Sequence, residues 1–171
     1  MNKPQVGIIM GSTSDWPVME QAAKILDKFN IPFEVQALSA HRVPEEVSVF
    51  AKKAVSSGMK VIIAGAGGAA HLPGVVAAHT TLPVIGVPCK SSIYLDGWDS
   101  LLSIVQMPPG IPVATVGVDG GQNAGILAVQ IIALTDATVA SALVKFKEEM
   151  KEKVLKANED LQQYKFKNRT N

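Results

Sequence analysis

The chain has 171 residues, of which 47% are hydrophobic and 18% charged, with mean hydropathy +0.22 and formal net charge +1. This composition excludes disordered, collagen-like and coiled-coil classes, and a single cysteine, Cys89, excludes an internal disulfide or a cysteine-based metal cage. Eight of the 16 basic residues lie at or beyond Lys145, so the body offers no basic stripe for nucleic acid, and the apolar stretches 61–70 and 125–134 are too short to span a membrane.

The length suits one domain over residues 1–171: an α/β core to 135, a helix over 136–164 and a tail over 165–171. Residues 5–10 (QVGIIM), closed by Gly11, predict a first strand. They follow no long apolar leader, so no secretion signal and a cytoplasmic location are expected. The loop GSTSD comes next. Its small hydroxyl residues at a helix start can present backbone N–H groups and the positive dipole end to an anion. An N-cap role for Ser14 or Asp15 explains the same residues, and no Walker-type GxxxxGK[ST] loop is present. Pro17 fits a first helical turn, after which Val18, Ala22, Ile25, Leu26 and Phe29 recur at helical spacing.

Residues 33–38 predict a second strand, followed by Ser39-Ala40-His41-Arg42. Arg42 is the only arginine before the tail, and its fork suits bidentate phosphate contact. His41 can transfer protons near neutral pH. A surface arginine and a capping histidine are the plainer alternative, but their loop position favours function. Pro44 opens a helix to Ser56, ended near Gly58.

Residues 61–66 predict a third strand, and GAGGAAHLPG follows it. The run fits a relaxed GxGxxA dinucleotide fingerprint, but it follows the wrong strand, and the fourth strand ends in Cys89-Lys90 rather than an acid. It reads instead as a backbone wall approaching a flat ligand with His71 on its rim, with tight helix–strand packing as the competing explanation. A short helix after Pro73, a strand over 84–88, a helix over 99–106, a strand over 113–118 and a helix over 123–134 complete the alternation. Several strands are uniformly apolar, as when both faces are covered, and five βα units specify a doubly wound parallel α/β sheet.

Asp136 can cap a last helix running to about residue 164, with Val139, Leu143, Phe146, Met150, Val154, Ala157, Leu161 and Tyr164 at steps of three and four. Such a helix outruns a compact sheet, so its far half is expected to reach a neighbouring subunit. His79 reads as structural, and Cys89 lacks an activating partner. No HExxH or carboxylate cluster points to a metal, and no Gly-x-Ser-x-Gly elbow to a serine hydrolase. The remaining inventory suits acid–base chemistry on a small phosphorylated compound.

GSTSD, SAHR, AGAGGAAHLPG and DSLLSIVQMPPGIPVAT, in this order and spacing, closely resemble the N5-carboxyaminoimidazole ribonucleotide mutase (PurE) family over residues 6–134. The GAGGAAHLPG form resembles the mutase class rather than the class that carboxylates aminoimidazole ribonucleotide directly with CO2. The resemblance implies a flavodoxin-like three-layer sandwich, a homo-octamer with sites at subunit junctions, and a carboxylate shift in purine (IMP) biosynthesis without metal, ATP or biotin. It implies that Ser12, Ser39 and Arg42 hold the 5′-phosphate and Asp15 the ribose hydroxyls. Residues 65–71, with Gly67 and Gly68, would enclose the imidazole and carboxylate; His71 would be a secondary polar contact, and His41 the general acid/base. Segments 91–98 and 116–124 depart from the family pattern. A direct carboxylase and a non-catalytic nucleotide-phosphate-binding module are the alternatives.

Overall fold

Apolar runs become five parallel strands in a computed structural model that describes residues 3–91 and 95–170. The strands are β1 (Val6–Met10), β2 (Phe33–Ala37), β3 (Val61–Gly67), β4 (Val84–Cys89) and β5 (Ala114–Thr115). They pair in the order β2-β1-β3-β4-β5, all parallel. That is the flavodoxin-like order, with its reversal beside β1. The residues of β1 and β4 are all buried, and so are those of β3 up to Gly67, because helices cover both faces.

The helices are α1 (Trp16–Lys28), α2 (Pro44–Ser57), α3 (Leu72–His79), α4 (Trp98–Val105), α5 (Gly121–Ala133) and α6 (Ala137–Leu161). Prolines open α1, α2 and α3, and Gly58 closes α2 at φ +99°, a conformation that costs glycine little. One core joins Ile8, Ile63 and Ile85 to Met19 and Leu26 of α1, Val129 of α5 and Phe146 of α6. A second joins Ile9, Ile62 and Ala64 to Val47 and Phe50 of α2, Val76 of α3 and Ile104 of α4. The sheet is thus the middle of three layers.

α5 lies unusually close to α1. A Cβ on Gly121 would stand 2.0 Å from the Val18 carbonyl oxygen, and one on Gly125 3.0 Å from Ala22 Cα. Only the missing side chains permit this approach.

The fifth strand is far shorter than its apolar run suggests. Val116 N–H still donates to Gly86 O at 3.1 Å, but the chain then turns away and Asp119, at φ +55°, donates its N–H to Pro88 O at 2.8 Å. As the last strand of the sheet, β5 has pairing on one side only, and this turn ends it.

Asp136 caps α6 as its sequence indicates, accepting from Thr138 and Val139 N–H. Phe146 meets Phe29 edge to face at 5.5 Å, and Lys28 Nζ lies 4.5 Å from the same ring. The 25-residue helix is about 37 Å long and ends at Leu161, short of Tyr164; beyond Phe146 its seam is bare, with Met150, Val154 and Leu161 exposed. Among the described residues, no helix is long and apolar enough to cross a membrane.

Candidate active site

The reversal of strand order beside β1 separates the loops there and opens a cleft at the carboxyl ends of the strands. Its volume is about 590 Å³, within the roughly 300–1,000 Å³ of small-ligand sites. The loops after β1, β2, β3 and β4 all line it, and they bring together Ser12, Asp15, Ser39, His41, Arg42, Gly67 and His71. Gly68 is not on this wall. It is buried in the turn behind, at φ +62°, and with Ala70 at φ +47° it shapes the backbone that delivers His71.

The loop after β1 is a single 3-10 turn over Thr13–Asp15. Its cap is neither Ser14 nor Asp15, the two candidates in the sequence, but Ser12, whose Oγ accepts from Ser14 N–H at 3.3 Å. The Ser12 hydroxyl proton remains available to a ligand. Asp15 stands at the N-cap position of α1 without making a cap bond, and its residue is buried in the cleft wall.

Burial pushes the Asp15 carboxyl above its ordinary range, and hydrogen bonds from Ser12 and Ser14 only partly offset this. The folded chain therefore binds this proton more tightly than the unfolded chain. The resulting stability is present below the ordinary value of 3.8 and is lost as pH rises through the raised value. Asp15→Asn is accordingly expected to melt a few degrees higher than the parent at pH 7, with the gap closing below pH 4 in calorimetric scans. A gap independent of pH would sink this account of the carboxyl.

The loop after β2 folds back on itself through Val43 N–H to Ser39 O at 2.9 Å. The N-cap of α2 is Val43, with no side-chain cap bond, so the capping role considered for His41 does not apply. Arg42 Nη2 donates to Gly11 O at 3.0 Å, tying the β2 loop to the β1 loop while leaving other guanidinium donors for a ligand. His41 Nε2 lies 2.6 Å from His71 Nδ1, with the rings nearly perpendicular at 84°. One proton occupies that contact, so one ring donates and the other accepts. His71 is thus more than a rim contact, since it fixes which nitrogen of His41 is engaged.

The wall after β3 is held from below. Ser103 Oγ donates to Ala69 O, and a Cβ on Gly67 would approach Cys89 O to 3.1 Å. The tight packing offered as the competing explanation is therefore present, and it shapes the run that lines the cleft at Gly67. Cys89 itself is buried, and that burial, with the Asp15 and Asp119 carboxylates adding to it, pushes its thiol up to about 12. Native protein treated with iodoacetamide at pH 8 is expected to keep its intact mass, gaining one adduct only after unfolding.

Sequence reasoning passed over Lys90 and Ser91, which line the cleft from the loop after β4. Lys90 N–H donates to Asp119 Oδ1 at 2.9 Å, and Lys90 Nζ pairs with Asp96 Oδ1 at 3.0 Å. The two segments that depart from the family pattern are thereby tied together, although residues 92–94 lie outside the described residues. His79 stands apart from the cleft, near the end of α3. Among the described residues, no three His, Cys, Asp or Glu side chains are placed to hold a metal ion.

Fold and cleft together define a flavodoxin-like α/β protein whose cleft gathers serine hydroxyls, an arginine and a hydrogen-bonded histidine pair. The AIR carboxylase family profile matches residues 5–153, and the chain belongs to that family. It is 59% identical over 148 residues to the N5-carboxyaminoimidazole ribonucleotide mutase of Pyrococcus abyssi, covering 86% of this chain and 84% of that one. It is 55% identical over 168 residues to the phosphoribosylaminoimidazole carboxylase of Schizosaccharomyces pombe, covering 98% of this chain but 30% of that longer one. The crystal structure of Treponema denticola PurE superposes with a TM-score of 0.82 at 29% identity, over 92% of this chain and 98% of that one.

Proposed function

We propose that the chain is an N5-carboxyaminoimidazole ribonucleotide mutase, moving a carboxylate from the exocyclic nitrogen of its substrate to C4 within purine biosynthesis. The observation that carries this reading is the His41–His71 contact in a cleft also lined by Arg42, Ser12 and Ser39. The similarity to the P. abyssi mutase over most of both chains supports it.

In the proposed mechanism, Arg42 and the two serines hold the 5′-phosphate and Asp15 accepts from the ribose hydroxyls. Protonated His41 gives its proton to the exocyclic nitrogen as the N–C bond breaks, and CO2 is released into the cleft. The electron-rich C4 attacks that CO2. Neutral His41 then removes the C4 proton and the ring regains aromaticity. The proton given equals the proton taken back, so the isomerisation balances with no co-reactant. A relay is available, because a proton accepted by either imidazole can cross the short contact to the other. Retaining CO2 keeps recombination effectively intramolecular, where proximity contributes most to the rate.

The bare far half of α6 supports an oligomer, for which we propose the octamer that the family resemblance implies. Its exposed seam continues a stripe whose near half is already buried on α1 and α5. Native mass spectrometry tests this, and a monomer would refute it.

The deciding assay is turnover of N5-carboxyaminoimidazole ribonucleotide by purified protein without ATP or metal, beside aminoimidazole ribonucleotide with bicarbonate. The C4-carboxylated product only from the first substrate establishes the mutase. The carboxylase name of the S. pombe relative makes the second arm necessary, because activity mainly there would reassign the reaction. Silence in both arms would leave a binding module.

A further inference from the structure

The cleft is charged at both ends. Arg42 stands on the loop after β2 and Lys90 on the loop after β4, and these are the lysine and arginine among the described residues lining it. The strand order puts three inter-strand steps between those loops. At about 4.8 Å per step, the strand ends lie about 14 Å apart. A phosphoribosyl imidazole carboxylate is itself anionic at both ends, with phosphate on the sugar and carboxylate on the ring.

Building on the mutase reading, we propose that Lys90 is the contact for the substrate carboxylate, opposite Arg42 on the phosphate. The histidine pair sits between the two cations, on the loops after β2 and β3, where the ring would lie. Lys90 is well placed for this role. Asp119 fixes its backbone through the N–H, so the stem is anchored at its base. The ammonium's partner in the free protein, Asp96, is an exposed carboxylate with 79% of its side chain accessible. Exposed pairs of this kind contribute little and exchange readily for a better-held anion. Asp96 thus keeps the lysine extended until a ligand carboxylate takes it over. Lys90 is a specificity residue for the carboxylated state of the nucleotide, distinguishing it from the decarboxylated intermediate.

The test is equilibrium binding, by calorimetry, of two nucleotides that share the phosphate and differ in the carboxylate. These are 4-carboxy-5-aminoimidazole ribonucleotide and aminoimidazole ribonucleotide. Lys90→Gln is expected to weaken the carboxylated nucleotide about tenfold or more while leaving the other within about twofold, as for loss of one charge-assisted hydrogen bond. Lys90→Arg should recover most of the loss. Equal weakening of both nucleotides would place Lys90 on the phosphate and overturn the assignment, and no weakening of either would reduce it to a surface residue. Asp96→Asn separates charge from loop geometry. It should bind the carboxylated nucleotide at least as tightly as the parent, and weakening equal to that of Lys90→Gln would also overturn the proposal. Failure of the unsubstituted protein to bind either nucleotide would instead refute the mutase reading itself.

Discussion

His41→Asn is expected to bind N5-carboxyaminoimidazole ribonucleotide nearly as well as the parent and to turn it over about 10³-fold more slowly, the scale of a lost general acid/base. Asparagine is too short to reach His71 Nδ1, which lies 2.6 Å from Nε2 of the native ring, but the Val43 N–H to Ser39 O bond that folds the loop does not involve the ring, so the cleft should retain its shape. It cannot give up and recover a proton, which the carboxylate shift requires in turn. Steady-state kinetics beside direct binding checks this: kcat should collapse with affinity preserved. Loss of affinity matching the loss of kcat would show that His41 holds the substrate rather than moving its proton. His71→Asn supplies a graded comparison. With His41 intact but its partner changed, a smaller loss accompanied by an altered pH–rate profile is expected.

Gly121→Ala should be the most damaging single-methyl change in the chain. The new Cβ would lie 2.0 Å from the Val18 carbonyl oxygen, a backbone atom that cannot rotate away. α5 must therefore lift from α1, opening a core that includes Met19, Ala22, Ala124 and Ala128. Overpacking of this kind costs about 1–3 kcal/mol, which for a chain of this length lowers Tm by about 3–10 °C. Gly117→Ala is the control, because nothing lies within 4 Å of the point where its Cβ would stand, and the same methyl should leave Tm nearly unchanged. Equal melting of the two variants would mean that the α1–α5 approach does not limit stability.

The alternation of strands and helices is legible in the sequence because β1, β3 and β4 are apolar runs, while β2 (FEVQA) alternates apolar and polar residues as a partly exposed strand does. Those local signals suffice when both faces of a sheet are covered. β5 is shorter than expected because its apolar run contains the residues that pack as the chain leaves the sheet. Val116 and Val118 face protein whether or not they are paired, so burial and strand length diverge at an edge. Gly121 and Gly125 look like helix start and interior, since a close crossing of two helices has no local signature beyond the spacing itself. Among site residues, His41, Arg42 and Asp15 stand out by type and loop position. Ser12 makes the cap bond because a 3-10 turn precedes α1, while Asp15, one of the two expected caps, occupies the N-cap position of α1 without a side-chain bond. Lys90 is invisible for a different reason. A lysine after a strand usually marks solvent, and only the fold brings this one onto the cleft shared with Arg42.

The sheet is also a partition. Ser12 and Asp15 lead into α1, whose packing belongs to the core shared with α5 and α6. His41 and His71 lead into α2 and α3, which belong to the other core, on the opposite face. Under the proposed roles, Asp15 and the histidine pair are therefore mounted on separate foundations, while Arg42 and Ser39 share the loop of His41, and Arg42 ties it to the first side through Gly11 O. A cavity cut into the first core should loosen the grip on the nucleotide while leaving the imidazoles in register. One cut into the second should disturb the pair together with Arg42 and Ser39, and so reach the phosphate contact while sparing Asp15. The long reach of α6 falls wholly on the first side, so whatever steadies that helix in an assembly steadies the loop of Ser12 and Asp15 before it steadies the histidine pair.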